Sequence, residues 1–108
     1  MGYGLTPGPV VGHVHAYRGR TSFDEGHLHR FEGISTRSVG GVDAHVHRLI
    51  GTTTFDDGHI HNYNITTGPG IPAGPGQHVH RYNGVTTLNG RPLHVHFMSG
   101  VTAPARND

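Results

Sequence analysis

A chain of 108 residues fits a single domain with a modest core. Leu, Ile, Val and Phe total 24, which lifts the composition out of the disordered range, and the absence of cysteine excludes disulfides and thiolate metal sites. Eight Arg, no Lys and seven acidic residues leave a net charge of +1, far from a nucleic-acid footprint.

The first segment, residues 1–11, has neither the basic start nor the apolar run of a signal peptide, so secretory export is not expected. No later stretch reaches membrane-spanning length. The cytoplasm is the default location, with assembly at a cell surface or in a spore as the alternative. His13-Val14-His15 then opens the unit HVHAYRGRT, and after Phe23-Asp24-Glu25-Gly26 a second unit follows, HLHRFEGIS. Residues 37–44, RSVGGVDA, read as a loop. HVHRLIGTT from His45, the joint Phe55-Asp56-Asp57-Gly58 and HIHNYNITT from His59 repeat the arrangement. A second Gly/Pro-rich loop, TGPGIPAGPGQ, leads to HVHRYNGVT from His78 and, past Asn89–Leu93, to HVHFMSGVT from His94.

All 12 histidines fall into six His-x-His pairs. The consensus is His, apolar, His, any, large apolar, any, Gly, any, Thr, with Ile65 replacing the Gly once and Ser35 the Thr once. Successive units start 14, 18, 14, 19 and 16 residues apart, so the repeat is a pair of units about 32 residues long, present three times. The expected fold is one all-β domain, 1–108, of three tandem hairpin repeats (12–36, 44–67 and 77–102) about a pseudo-threefold axis. Leaders at 1–11, 37–43 and 68–76 and a tail at 103–108 complete it. A β-solenoid with one unit per rung is the alternative. The joints Asp-Glu-Gly and Asp-Asp-Gly suggest three-residue hairpin loops, a type I turn followed by a Gly bulge. Counting outward from Phe23 opposite His27 sets Tyr17 opposite Gly33, Phe31 opposite Gly19 and His15 opposite Ser35. It likewise sets Tyr63 opposite Gly51, Tyr82 opposite Gly100 and Met98 opposite Gly84. Large side chains thus cover bare backbone across each strand pair. Alternation puts the histidines, the rings, the Thr and the residues Phe23, Phe55 and Leu88 on one interior face.

Histidines two apart on a strand point the same way, roughly 6.6 Å apart at Cα, close enough for two imidazoles to share one ion. Imidazole in its neutral form suits Fe, Zn, Cu and Ni. With three hairpins packed together, His13, His15, His45, His47, His78 and His80 converge at one end. His27, His29, His59, His61, His94 and His96 converge at the other, with Tyr17, Phe31, Leu49, Tyr63, Tyr82 and Met98 between. The twelve histidines are therefore the candidate metal ligands, with iron or zinc placed first and copper or nickel next.

These clusters are similar to the His-x-His clusters of trimeric phage tail-fibre and spike tips, a resemblance that implies six-coordinate iron held for rigidity. Over nearly the whole chain, the GHxH, GxTS/TTF and DDGH segments resemble the YmaF family of small His-rich bacterial proteins. That resemblance implies a pattern and assigns no activity. Here Ala44, Gln77 and Leu93 stand where the family more regularly has Gly before a pair.

Transition-metal binding in a structural or sequestering role is the expected function, with metal ions and self-association as partners and neither nucleic acid nor membrane. A self-assembling filament or coat protein with metal staples is the alternative reading. A metal-free, pH-responsive histidine interior and a metal-dependent enzyme rank below it. Catalytic metal sites keep an open position and a nearby acid or base, and the two Glu, Glu25 and Glu32, sit in a turn and on the face away from the histidines. No enzyme activity is expected.

Overall fold

The computed structural model describes residues 13–38 and 45–106. The leader at 1–11, and nearly all of the one at 37–43, lie outside the described residues. Within them the chain is all-β, without a helix: β1 (Ala16–Arg20), β2 (Arg30–Ile34), β3 (Arg48–Thr52), β4 (Asn62–Thr66), β5 (Gly70–Pro72), β6 (Gln77–Val85), β7 (Phe97–Val101) and β8 (Ala105–Arg106). β1 pairs with β2, β3 with β4 and β6 with β7, all antiparallel, giving three hairpins and no closed barrel. A solenoid, which stacks successive units as rungs, does not match this pairing. The segment 68–76, expected as a plain leader, contributes β5 to one edge of β6, and the tail contributes β8 to the other.

The register follows from size. Tyr17 faces Gly33, Gly19 faces Phe31, Gly51 faces Tyr63 and Tyr82 faces Gly100. A Cβ added at Gly33, Gly51 or Gly100 would meet the facing tyrosine Oη at 2.6 Å, so the ring needs the glycine. Where the consensus fails, the volumes still balance. Ile65 replaces Gly opposite the smaller Leu49 and reaches across to the neighbouring hairpin, lying 2.7 Å from where Gly84 would carry a Cβ. Ile65, rather than the facing Met98, therefore covers Gly84. Tyr17, Phe31, Leu49, Tyr63, Ile65, Tyr82 and Met98 form one buried cluster.

The turns differ from the expectation. Asp24 bonds both ways with His27, and Glu25 and Gly26 between them have φ of 52° and 82°. Asp57 and Gly58 repeat this at 53° and 82° between the paired Asp56 and His59. These are two-residue loops with both central residues left-handed, the geometry that matches strand twist. Thr21 nevertheless bonds His29, so Ser22 and Phe23 stand against the single residue Leu28. The extra residue is a bulge. A one-residue slip reverses the side chains beyond it, and Phe23, Phe55 and Leu88 are exposed instead of interior.

The bulged segments join the hairpins. Ser22 N–H donates to Phe97 O, Thr54 N–H to Arg30 O and Thr87 N–H to Asn62 O, all at 2.9 Å. At the opposite end Thr36 N–H donates to Arg48 O, Gly68 N–H to Arg81 O and Ala103 N–H to Ala16 O, at 2.8–2.9 Å. Each hairpin is thereby bonded to the other two.

Candidate metal centres

Strand alternation turns both histidines of every pair inward, and the hairpin packing gathers them into two groups. Ligand-capable atoms of His13, His45, His47, His78 and His80 lie within 4.8 Å of one another, as do those of His27, His59, His61, His94 and His96. His15 joins the first group through its Nε2, 3.2 Å from His78 Nε2, and His29 the second, 3.3 Å from His59 Nε2. All twelve sequence-expected positions are thus brought together, six at each end.

The first histidine of each pair is the outer one. The second is fully buried: His15, His29, His47, His80 and His96 are 0% exposed and His61 1%. Every inner Nδ1 meets a backbone carbonyl, which can only accept, so Nδ1 carries the proton. His15 donates to Ala103 O, His47 to Thr36 O and His80 to Gly68 O, each at 2.8 Å. His29 donates to Thr54 O (2.9 Å), His61 to Thr87 O (2.7 Å) and His96 to Ser22 O (2.9 Å). Each accepting carbonyl belongs to a different hairpin from the ring it aims. In the neutral tautomer Nε2 then holds a bare lone pair.

Inner and outer Nε2 atoms converge. Nε2–Nε2 separations are 3.2 Å for His13–His45 and His45–His78, 3.1 Å for His59–His61 and for His96–His27, and 3.3 Å for His94–His27. The Nε2 atoms of His47 and His80 are buried without a hydrogen-bond partner. The desolvated lone pairs of the inner rings repel one another unless a cation or a ring proton lies among them.

The ring arrangement specifies the geometry. Each imidazole in the first group meets all the others edge-on, at centroid separations of 4.5–5.3 Å, except one. The exceptions pair off as His13/His80, His15/His45 and His47/His78. The second group behaves alike, and its exceptions are His27/His61, His29/His94 and His59/His96. Three opposed pairs among six points define an octahedron. With metal–nitrogen bonds of about 2.1 Å, an octahedron has edges of about 3.0 Å, slightly shorter than the 3.1–3.3 Å found.

Burial also lowers the inner histidines' basicity. Desolvation pushes the pKa of His15, His29, His61 and His96 below the ordinary value, and that of His47 and His80 down to about 4. The carbonyl bonds oppose this in part, and the neighbouring imidazoles reinforce it. Neutral imidazole is the form a metal needs.

The sequence puts the hydroxyl residues of the units on the interior face without assigning the backbone N–H groups they accept. Thr21, Ser35, Thr53, Thr67, Thr86 and Thr102 are buried, and each hydroxyl accepts the backbone N–H of an inner histidine at 2.9–3.1 Å. Their signal was the hydroxyl residue closing every unit. The aiming carbonyls have no side-chain signal at all.

Residues 10–102 match the family described as YmaF, spore germination protein GerY/YamF. No curated protein and no solved structure matches the chain.

Proposed function

The chain belongs to the YmaF family, and from that premise we propose a transition-metal-binding protein of three tandem hairpin repeats about a pseudo-threefold axis, holding one ion at each end. Spore germination, the process in the family's description, is the setting we infer. One observation carries the reading: in each cluster six imidazoles oppose one another in three pairs, with their Nε2 atoms turned inward. Six ligands fill the coordination sphere, which supports a structural or sequestering role over catalysis, where a position stays open. An octahedral all-imidazole set favours iron or nickel over zinc, whose structural sites are four-coordinate.

Elemental analysis of untagged protein tests this, with two ions per chain expected. Replacing His13 and His15 with Ala should remove one ion. Adding His45→Ala and His47→Ala should cost little more, whereas adding His27→Ala and His29→Ala instead should empty the protein. Metal-free protein overturns the proposal, and equal losses in both combinations overturn the two-centre arrangement. Self-association is a second reading, favoured by exposed Phe23, Phe55, Leu88 and Leu93. Concentration-dependent sedimentation checks it, and a constant monomer mass would exclude it.

A further inference from the structure

Three carboxylates stand around one end of the molecule, behind the imidazoles. Asp57 Oδ2 lies 3.2 Å from His27 Nδ1, Asp56 Oδ2 3.4 Å from His29 Nδ1 and Asp24 Oδ2 3.5 Å from His96 Nδ1. Each approaches the ring nitrogen remote from the converging Nε2 atoms, and each comes from a different hairpin than its histidine. Two of them are held in place: Ser22 Oγ–H donates to Asp24 and Thr54 Oγ1–H to Asp56.

Loop closure does not require a charge at Asp24 or Asp56, whereas Asp57, at φ 53°, also serves the turn itself. In the third hairpin Asn89 occupies the position of Asp24 and Asp56, bonded both ways with His94 across a longer loop. A neutral amide fills the same place. The charge is therefore the feature to explain.

Six neutral imidazoles contribute no charge, so an ion among them keeps its full charge in a desolvated pocket. The Nδ1 protons of these three rings go to the backbone carbonyls of Glu25, Thr54 and Ser22, so the carboxylates act through charge, and negative groups beside the ligands favour the more highly charged ion. Resting on the six-imidazole reading, we infer that Asp24, Asp56 and Asp57 make the His27-end centre selective for a trivalent over a divalent ion. Their side chains are 38–60% exposed, so water screens much of the effect. On that ground the selectivity due to the three together is about tenfold, not thousands.

The test uses the full chain loaded with iron and measures the midpoint potentials of its two centres. Asp24→Asn/Asp56→Asn/Asp57→Asn should raise one potential by about 59 mV, a tenfold loss of preference for iron(III) in a one-electron couple, and leave the other in place. Glu32→Gln, a distant exposed carboxylate on β2, should move neither. Asp57→Asn alone, at the most exposed of the three, should give a smaller shift in the same direction and serves if the triple variant does not fold. An unmoved or lowered potential in folded, iron-loaded variants overturns this inference alone. A parent protein that takes up no iron overturns the six-imidazole reading with it.

Discussion

Glycine at the middle of a strand is a poor choice unless something lies over it. The Tyr17 hydroxyl and ring approach Gly33 so closely that a Cβ would meet them at 2.6 and 2.9 Å. Gly33→Val should therefore destabilise the fold by about 1–3 kcal/mol through overpacking, read as a lowered denaturation midpoint. An unchanged midpoint would mean that the ring does not rest there. Burial raises the Tyr63 pKa, and a hydrogen bond to Tyr17 adds to the shift; their hydroxyls are 2.8 Å apart. The Tyr63 phenol is thus held neutral in the layer between the clusters. Thr53 is 4% exposed and accepts His61 N–H at 3.0 Å. Thr53→Val leaves that donor unsatisfied and should cost about 1–3 kcal/mol, with loss of protection of the His61 amide in hydrogen exchange.

At the scale of the element, the two-residue turns are imperfectly encoded. Glu25 sits at φ 52°, a region that asparagine tolerates and glutamate does not favour. Glu25→Asn should raise stability by roughly 0.5–1 kcal/mol, since Asn-Gly is the preferred pair for this turn. A lower midpoint would contradict the assigned turn. The strand register was legible because Tyr17, Phe31, Tyr63 and Tyr82 each face a glycine, a match of volumes that counting can find. The bulge was not. Moving the paired position from Phe23 to Asp24 and inserting one residue changes nothing in the strands beyond, so the correct register concealed a wrong turn. The exposure of Phe23, Phe55 and Leu88 betrays it, together with the Asp24–His27 pairing. Likewise the histidine spacing gave the two groups. Which ring opposes which depends on how the hairpins are rotated in packing, and that leaves no trace in spacing.

For the molecule as a whole, acid acts on the inner histidines. Their folded pKa values lie below the unfolded value of 6.5, so between pH 6.5 and about 4 the unfolded chain binds more protons. Stability therefore falls as pH falls through that window, by about 3 kcal/mol each for His47 and His80 at 1.36 kcal/mol per pKa unit. Circular dichroism of chelator-treated protein should show unfolding between those limits, and bound metal should leave in the same window because protons compete for Nε2. Constant stability down to pH 4 would contradict the burial of these rings. The opposed pairs have a further consequence, which is optical. In the proposed centres each His-x-His pair would grip an ion as a two-toothed chelate, and three such chelates around an octahedral ion would form a propeller with a definite hand. At the His13 end each outer ring opposes an inner ring of the preceding hairpin, taken cyclically; at the His27 end, of the following one. Viewed from outside, the hairpin order also reverses between the ends. The two reversals cancel, so both propellers turn the same way, and the visible circular dichroism of the two bound ions should add instead of cancelling.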